Sequence, residues 1–496
     1  MRSLKNILQD VPVESVVGSI DRSVSNIQYD SRSVEQDTIF VAIKGGVFDG
    51  HAFISKAIDQ GAVVVVCENL PEILDAEITY VKVKSTARAL ALMASNYYQN
   101  PSENLKLIGI TGTNGKTTVA TLLYELFKLA GYKVGLISTV KIMVDEQEFS
   151  TTHTTPDSLV INSYLSQMNT QGIEFCFMEV SSHGIHQHRT EGLLFDGGVF
   201  TNLSHDHLDY HASFAEYRDV KKSFFDQLPS TAFALVNADD KNGSVMLQNT
   251  KAKQSTYALK SYADYRVQIL ENQFSGLLLK MNDQEVSTQL IGSFNAYNLA
   301  AIYGVADLLG IEKSEILRHL SLVTNVSGRF QYFTTPLEVT VIVDYAHTPD
   351  ALKNVLETIN AIRTKNQTLI TVVGCGGDRD KTKRPKMGHI ASALSSKVFF
   401  TSDNPRSEKP EQIIVEMEAG VQPQNLDKIT SIKDRKEAIT AACKQARSHD
   451  IILIAGKGHE VYQEVKGVKH EFNDSKLSSN TNRTRTIICY TIYSNI

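Results

Sequence analysis

Residues 109–118, with the sequence GITGTNGKTT, decide the fold of the chain around them. An apolar run precedes them and apolar residues spaced three and four apart follow, which predicts a strand, a tight turn and a helix. The glycines let the backbone curl until its N–H groups and the helix N-terminus face one anion. In such a turn Lys116 brings positive charge to phosphates, and the Thr117 hydroxyl can hold Mg²⁺. We call residues 112–118 the phosphate loop, although an isoleucine stands where the strict GxxxxGK[ST] motif has its first glycine.

The composition is that of an ordinary soluble globular protein. The 496 residues, 42% hydrophobic and 21% charged, have the size of about two to four domains. The net charge of −5 gives no reason to expect a nucleic-acid partner. No apolar run has membrane-spanning length, and the N-terminus lacks the apolar core of a signal peptide. We therefore expect a cytoplasmic monomer that acts on small molecules, without nucleic acid or membrane.

The cysteines are widely spaced and include no CxxC pair. This pattern predicts a reducing compartment, with neither disulfides nor a metal site built from cysteine. The five residues are Cys67, Cys176, Cys375, Cys443 and Cys489.

The pattern of apolar runs and polar turns divides the chain into three α/β domains and a tail. Residues 1–101 predict a small mixed α/β domain that ends in the polar stretch QNPSENLK. Residues 102–333 predict a central P-loop ATPase domain with a mostly parallel sheet. Residues 334–475 alternate apolar runs, polar turns and helical stretches, which predicts a Rossmann-like doubly wound domain. Residues 476–496 lose this periodicity, and we expect an atypical, frayed tail without a role.

Polar residues follow the apolar runs of the second and third domains directly. Ligands of doubly wound sheets bind outside the carboxyl ends of the strands, so two sites are expected to face each other across a cleft. Glu179 ends one such run, and a carboxylate there is the expected second ligand for Mg²⁺ beside a phosphate loop. The alternative interpretation is that these turns are ordinary polar surface loops.

Six histidines lie close together in the sequence of the second domain. A zinc hydrolase uses such residues, but their spacing matches no HExxH helix, and a phosphate loop has no purpose in that enzyme. We interpret most of them as structural hydrogen-bond partners. The six histidines are His183, His186, His188, His205, His207 and His211.

A series of motifs in this order resembles the Mur ligases over residues 29–474. The motifs are TGTNGKTT, MEVSSHGIHQHR, TNLSHDHLDYH, YRDVK, IGSFNAYNLAA, SGRF, VDYAHTPDAL, GCGGDRDKTKRP, SDNPR and AGKGHE. The resemblance implies ATP-driven amide-bond formation. The γ-phosphate would pass to the D-glutamate carboxylate of UDP-N-acetylmuramoyl-L-alanyl-D-glutamate, and the amine of an amino acid would capture the acyl phosphate. Such a transfer needs mainly positioning and charge neutralisation.

The resemblance also implies an ATP site and a magnesium site, with two ions expected. The implied ATP contacts are Gly112, Thr113, Asn114, Gly115, Lys116, Thr117, Thr118, Asn295, Asn298 and Arg329. The implied Mg²⁺ ligands are Thr117, Glu179, His207 and Lys221. The implied catalytic residues are Lys116, Lys221, His207 and Glu179. For the asparagines, helix capping is the alternative role.

Lys221, in YRDVK, occupies the position of the carbamylated lysine of the family. The sequence alone predicts a solvated surface lysine there. Reaction with CO₂ would convert a cation that repels Mg²⁺ into a carboxylate-like ligand. The adjacent Lys222 has no counterpart in the motif.

Two further sets of residues are implied to bind the other substrates. The implied contacts to the UDP-muramoyl-dipeptide are Ser31, Gly46, Val47, Phe48, His153, Thr154, Thr155, Ser181, Gln187 and Arg189. At the position of His153, some members of the family have asparagine. The implied contacts to the incoming amino acid are Arg379, Asp403, Asn404, Pro405, Arg406, Gly456 and Glu460.

The DNPR sequence resembles the recognition motif of the family members that add meso-diaminopimelate. A guanidinium at Arg406 can pair bidentately with the distal carboxylate of diaminopimelate. Lysine lacks that carboxylate and would leave Arg406 unpaired, which would discriminate against it. A salt bridge that stabilises the loop is the alternative role for Arg406. The alternative functions are a lysine-adding member of the family and a nucleotide-dependent switch protein without ligase activity.

Overall fold

The computed structural model describes residues 1–45, 48–204, 206 and 210–479. Within these residues the strands form three large sheets, of five, eleven and six strands, and two small two-stranded sheets. The strands of the large sheets begin and end within residues 13–83, 106–288 and 331–455, one sheet to each predicted domain. The predicted borders at 101/102 and 333/334 stay a prediction, and the second of them lies within the first strand of the third sheet.

The first domain is a five-stranded sheet with helices on both faces. Its elements are β1 (Arg2–Ser3), α1 (Leu4–Ile7), β2 (Val13–Val17), β3 (Ser23–Val24), β4 (Asn26–Gln28), β5 (Thr38–Val41), α2 (Ile54–Asp59), β6 (Ala62–Cys67), β7 (Thr79–Val83) and α3 (Thr86–Tyr97). The strand order is β2-β7-β6-β5-β4; β4 to β7 are parallel and the edge strand β2 is antiparallel to β7. The run AVVVVC in β6 is buried on both faces, which is typical of a covered parallel sheet.

The second domain is built on the eleven-stranded sheet. Its elements are β8 (Lys106–Thr111), α4 (Lys116–Leu129), β9 (Val134–Ile137), β10 (Ile142–Val144), β11 (Gln147–Phe149), α5 (Ser158–Thr170), β12 (Phe175–Glu179), α6 (Ser182–His186), β13 (Gly197–Phe200), α7 (Phe214–Asp226), β14 (Phe233–Asn237), α8 (Gly243–Met246), β15 (Lys253–Ala258), β16 (Tyr265–Gln273), β17 (Gly276–Met281), β18 (Gln284–Thr288), α9 (Ser293–Leu308) and α10 (Lys313–Leu320). The strand order is β11-β10-β9-β12-β8-β13-β14-β15-β16-β17-β18, and β9 to β16 in this order run parallel. The chain leaves β8 at the centre of the sheet and continues on both sides of it, so β8 ends at a topological switch point.

The third domain is doubly wound. Its elements are β19 (Gln331–Thr334), β20 (Thr340–Asp344), α11 (Pro349–Ile362), β21 (Leu369–Val373), α12 (Lys383–Leu394), β22 (Lys397–Phe400), α13 (Pro410–Glu418), β23 (Ile429–Ser431), α14 (Arg435–Gln445), β24 (Ile451–Ala455), β25 (Tyr462–Val465) and β26 (Val468–Glu471). The strand order is β19-β20-β24-β21-β22-β23, and all pairs except the edge pair β19-β20 are parallel. Alternate residues of β24 pack on opposite faces, towards α11 to α13 on one side and α14 on the other. The predicted fold class of three α/β domains is confirmed.

Two predictions from composition concern disulfide bonds and membrane-spanning segments. Cys67, Cys176, Cys375 and Cys443 are buried and none forms a disulfide; Cys489 lies outside the described residues. Across the described residues no helix combines the length and the apolar character needed to cross a membrane.

The helical part of the chain extends past residue 476, where the frayed tail was predicted to begin. Residues 474–479 are helical, Leu477 packs on the core cluster beside α14, and Ser478 is buried. Asp474 is fully buried against Arg435: the arginine donates from Nε to Oδ1 at 2.9 Å and from Nη2 to Oδ2 at 2.7 Å. The expectation of a frayed tail is therefore wrong for residues 476–479. Residues 480–496 are not among the residues that the structure describes. A buried ion pair, which local sequence does not reveal, holds this segment.

Replacement of Asp474 by alanine should destabilise the protein strongly. Burial alone would lower the pKa of Arg435, but the charge of Asp474 and its hydrogen bonds raise it, so the arginine is a buried cation. Loss of its partner should cost about 3–5 kcal/mol of the free energy of unfolding. Urea denaturation of Asp474→Ala, with the exposed Glu471→Ala as control, measures this cost. Equal stability of the two variants would contradict the prediction.

Candidate active site

The phosphate loop joins the end of β8 to the start of α4 and is held by the end of β13. Gly112 has φ +145°, and a Cβ atom there would overlap the Thr201 hydroxyl, so only glycine fits. Thr113 N–H donates to the Asn202 carbonyl at 2.8 Å, and Asn114 N–H donates to the Asn202 side-chain oxygen at 3.0 Å. The predicted strand, glycine turn and helix are therefore all present.

Lys116 lies over this loop. Its Nζ donates to the carbonyl oxygens of Gly112 at 2.8 Å and Thr113 at 2.9 Å. Burial lowers the pKa of Lys116, and the carboxylates of Glu179 and Asp206 oppose that shift. Lys116 is therefore held against the loop by two hydrogen bonds.

Glu179 ends β12 beside the loop and is fully buried. Its Oε2 accepts from Thr117 Oγ1 at 3.0 Å, and Arg329 Nη2 donates to the same threonine oxygen at 2.9 Å. Two predicted magnesium ligands are thus adjacent. Hydroxyl and carboxylate oxygens are the donors that Mg²⁺ prefers, together with water and substrate phosphates, so this pair fits that ion.

Of the other predicted magnesium ligands, Lys221 is among the residues that the structure describes and His207 is not. His207, like His205, lies outside the described residues. Among the residues that are described, no three histidine, cysteine, aspartate or glutamate side chains group as metal ligands. The oxygen pair Thr117 and Glu179 lies within the described residues.

The structure corrects the interpretation of Lys221 as a solvated surface residue. This lysine is 1% exposed on the inner face of α7, and its Nζ donates to the Gly112 carbonyl at 3.0 Å. Burial and then the charge of Lys116 hold the pKa of Lys221 well below its ordinary value. By contrast, Lys222 forms an ion pair with Asp226 at 2.7 Å. The two adjacent lysines therefore have opposite environments.

A second group of predicted residues lies on α9 and in the turn before β19. Asn295 donates to the Ile291 carbonyl at 2.8 Å, and Asn298 donates to the Asn295 side-chain oxygen at 3.0 Å. Both line a cavity of about 670 Å³ that also contacts Thr118 and Arg329. The cavity adjoins the phosphate loop.

Four of the ten predicted dipeptide-binding residues form one hydrogen-bond network. Thr155 Oγ1 donates to the Glu179 carbonyl at 2.8 Å and accepts from Ser181 N–H at 2.9 Å. Arg189 donates to the Thr155 carbonyl at 2.6 Å and to Gln187 Oε1 at 2.7 Å. The network therefore ties this set of side chains to the strand end that carries Glu179.

Four of the residues predicted to contact the UDP-muramoyl-dipeptide belong to the first domain, and two of them lie within the described residues. Ser31 is buried in a short 3-10 turn, and Phe48 is 72% exposed. Gly46 and Val47 lie outside the described residues. His153, in the second domain, contacts the Thr152 hydroxyl through Nδ1 at 2.9 Å.

Three of the residues predicted to bind the amino acid, Asp403, Asn404 and Glu460, lie around a buried lysine, Lys457. Its Nζ donates to Asn404 Oδ1 and to Glu460 Oε2, both at 2.9 Å, and Asn404 donates to the same glutamate oxygen at 2.8 Å. Gly456 has φ +115°, and a Cβ atom there would lie 2.5 Å from Asp403 Oδ2. This part of the site is therefore closely packed.

Arg406 extends from the same loop, next to Pro405. Its Nη1 donates to the Gly377 carbonyl at 2.7 Å, and its Nε lies 3.6 Å from Glu464 Oε2. The salt bridge that we considered as the alternative role is thus present. Recognition of diaminopimelate by Arg406 stays a prediction.

One cavity joins the two predicted sites. It has a volume of about 460 Å³ and lies between the carboxyl ends of the strands of the second and third domains. Its lining includes Lys116, Glu179 and Thr154 from one side and Arg379, Arg406 and Glu460 from the other. The expected arrangement of two sites across a cleft is present.

Sequence reasoning did not assign several residues of this cavity. Thr139 follows β9 and donates to Glu179, and Tyr345 packs its ring under Arg329, 4.5 Å from the guanidinium carbon. Burial lowers the pKa of His347 to about 4, and Asp350 accepts from the Asn114 side chain at 3.2 Å. Thr139 and Tyr345 lie just behind β9 and β20, so the rule that indicated Glu179 could have found them, whereas His347 and Asp350 lie further along the chain.

A phosphate loop at the centre of a parallel sheet, facing a doubly wound domain across a shared cavity, defines a three-domain P-loop protein. Residues 23–98 match the Mur ligase family catalytic domain, residues 110–306 the Mur ligase middle domain, and residues 328–458 the Mur ligase glutamate ligase domain. The chain belongs to the Mur ligase family.

Its relatives have a common name. The UDP-N-acetylmuramoyl-L-alanyl-D-glutamate–2,6-diaminopimelate ligase of Phocaeicola vulgatus is 52% identical over 474 residues, which cover 96% of this chain and 98% of the relative. The ligase of the same name from Cytophaga hutchinsonii is 52% identical over 472 residues, covering 95% and 97%. A solved structure of a ligase of this name is 31% identical, with a TM-score of 0.68 and coverage of 98% and 99%.

Proposed function

We propose that the protein is an ATP-dependent ligase that joins meso-diaminopimelate to the D-glutamate carboxylate of UDP-N-acetylmuramoyl-L-alanyl-D-glutamate. This reaction belongs to peptidoglycan precursor synthesis. The names of relatives that are 52% identical over nearly their whole length support the proposal. We further propose that the protein acts in the cytoplasm, as a monomer, on small-molecule substrates.

The observation that carries the proposal is the shared cavity. The phosphate loop, Thr154 of the dipeptide set and the DNPR loop all line the same space of about 460 Å³. A phosphate donor, an acceptor carboxylate and an incoming amine can therefore meet there. Holding reactants in this way replaces encounters in solution by reaction within one complex.

The first step is transfer of the γ-phosphate of ATP to the substrate carboxylate. A carboxylate oxygen attacks phosphorus, the bond to ADP breaks, and an acyl phosphate results. The N–H groups of residues 112–118 and the charge of Lys116 would hold the phosphates, and Asn295 and Asn298 would contact the adenine side. Thr117 and Glu179 would hold Mg²⁺, which neutralises charge on the transferring group.

The second step is capture of the acyl phosphate by the amine of diaminopimelate. The amine attacks the acyl carbon, a tetrahedral intermediate forms, and inorganic phosphate leaves. Asn404, Glu460 and Arg406 would orient the diamino acid, and the contacts of Lys457 hold the first two in place.

We propose that Lys221 acts as a carbamate in this reaction. An uncharged amine is the form that combines with CO₂, and the lowered pKa of Lys221 favours that form. The product is an anion beside Lys116 and the phosphate loop, where it would act as a magnesium ligand together with His207. Carbamylation thus converts an unfavourable buried cation into a useful carboxylate.

An assay of amino-acid dependence tests the function. Purified protein receives ATP, Mg²⁺ and the UDP-dipeptide with diaminopimelate, with L-lysine or with neither, and ADP release and product mass are measured. We expect a lengthened peptide with diaminopimelate and a kcat/KM for lysine lower by about 100-fold or more. Equal rates with both amino acids would overturn the specificity assigned to the DNPR sequence, and a product formed with lysine alone would indicate a lysine-adding enzyme. ADP release that ignores the amino acid and yields no product would indicate a switch protein.

A further inference from the structure

Three hydrogen bonds hold the buried carboxylate of Glu179, and two of them come from Thr139. Thr139 N–H donates to Oε1 at 2.7 Å, and Thr139 Oγ1 donates to Oε2 at 3.1 Å. The third bond comes from Thr117 Oγ1 at 3.0 Å. A residue outside the phosphate loop therefore orients both oxygens of the proposed magnesium ligand.

Thr139 also reaches the substrate side of the cavity. Its Oγ1 lies 3.0 Å from Oγ1 of Thr154, which belongs to the implied dipeptide-binding set. A hydroxyl has one proton, and a carboxylate oxygen can only accept. Since the Thr139 proton is directed to Glu179, the contact between the two threonines is best satisfied when Thr154 donates.

The same reasoning applies on the other side of Glu179. Thr117 Oγ1 donates its proton to the carboxylate and accepts from Arg329 Nη2 at 2.9 Å. The chain of hydrogen bonds runs from Thr154 through Thr139 to Glu179, and from Arg329 through Thr117 to Glu179. It connects the dipeptide side, the metal ligands and the turn before β19.

We propose that Thr139 is a positioning residue, which orients Glu179 for Mg²⁺ and couples it to Thr154. The inference rests on the proposed function and adds a role for a residue that no motif marked. One consequence concerns Thr154: because its proton goes to Thr139, its oxygen accepts a hydrogen bond from an N–H or O–H group of the substrate. Partners behind a metal ligand typically affect metal affinity by about 10- to 100-fold.

A purely structural role would predict that the Thr139 hydroxyl holds the turn after β9. That turn is instead held by Ser138, whose N–H and Oγ donate to the Lys141 carbonyl at 3.1 Å and 2.8 Å. Lys141 N–H also donates back to Ser138 Oγ at 3.2 Å. The Thr139 hydroxyl is therefore available for Glu179 and Thr154.

The test replaces Thr139 by valine, which has the same shape without the hydroxyl, and by serine, which keeps it. The readout is the Mg²⁺ concentration needed for ADP binding, measured by calorimetry on the full chain, together with kcat and the KM for the UDP-dipeptide. We expect Thr139→Val to need about 10- to 100-fold more Mg²⁺ and to lower kcat, while Thr139→Ser stays near the wild type.

Thr121→Val is the matched control. This threonine is buried on α4, and its hydroxyl finds no hydrogen-bond partner among the residues that the structure describes. The Thr121→Val variant should bind Mg²⁺ and ADP like the wild type. The melting temperature of each ligand-free variant separates loss of positioning from loss of folding.

The outcomes separate this inference from the proposed function. The proposal fails if Thr139→Val binds ADP at wild-type Mg²⁺ concentrations. It also fails if Thr139→Ser is as impaired as Thr139→Val, because the hydroxyl would then not position Glu179. If the wild type binds Mg²⁺ and ADP but makes no peptide, the function fails while the role of Thr139 can still be measured. A wild type that binds no nucleotide at any Mg²⁺ concentration overturns both.

Discussion

Lys221→Ala should lose amino-acid-dependent ADP release by more than about 100-fold, because even groups behind a metal ligand contribute about 10- to 100-fold. The lysine is 1% exposed, and its amine lies 3.0 Å from the Gly112 carbonyl, so a carboxylated side chain there would adjoin the phosphate loop. A short carboxylic acid such as acetate should restore part of the activity of the variant. Mass spectrometry of the wild type should detect the added carboxyl group on this residue.

The adjacent Lys222 provides the control for this prediction. Lys222→Ala removes a lysine from the same helix, but one that is paired with Asp226 at 2.7 Å. It should retain nearly full activity and leave the modification at Lys221 unchanged. If acetate fails to restore Lys221→Ala and the wild-type mass contains no carboxyl group, carbamylation is wrong.

Arg406→Ala should lower kcat/KM for diaminopimelate by about 100-fold or more, since truncating one partner of a buried charge pair costs about 2–5 kcal/mol. The rate with lysine should change little, so that the preference for diaminopimelate disappears. The KM for ATP should stay near the wild-type value, because the phosphate loop is built by other residues. Steady-state kinetics with each amino acid measures all three quantities.

Glu464→Gln separates recognition from the salt-bridge role of Arg406. This change weakens the 3.6 Å contact to Arg406 Nε and leaves the guanidinium in place. If recognition is the role, Glu464→Gln should keep its preference for diaminopimelate. If the two variants lose activity together, and with both amino acids, Arg406 acts by stabilising its loop.

Several features of the candidate site could be predicted because they depend on short stretches of chain. The glycines, Lys116 and Thr117 lie within one turn, and turn chemistry is a local property. Glu179 was indicated because it follows an apolar run directly, and strand ends meet at one edge of a parallel sheet. Thr139 and Tyr345 met the same criterion but had no second clue to their roles.

Other features could not be predicted because they depend on contacts between distant parts of the chain. Lys221 lies in the polar stretch YRDVKK, which is typical of an exposed helix, yet α7 packs so that this lysine meets a carbonyl 109 residues earlier. Asp474 is buried because Arg435, 39 residues earlier, turns into the same core. Such partners leave no periodic pattern in the sequence.

The sequence by itself determined the three α/β domains, the phosphate loop and the position of Glu179, because hydrophobic periodicity and glycine turns act over a few residues. The tertiary structure alone decided which side chains meet. It buried Lys221, joined Thr139 to Glu179 across 40 residues and Lys457 to Asn404 across 53 residues, and brought the two strand edges to one cavity. These contacts depend on how helices and sheets pack, and packing depends on the shape of the whole core rather than on any local pattern.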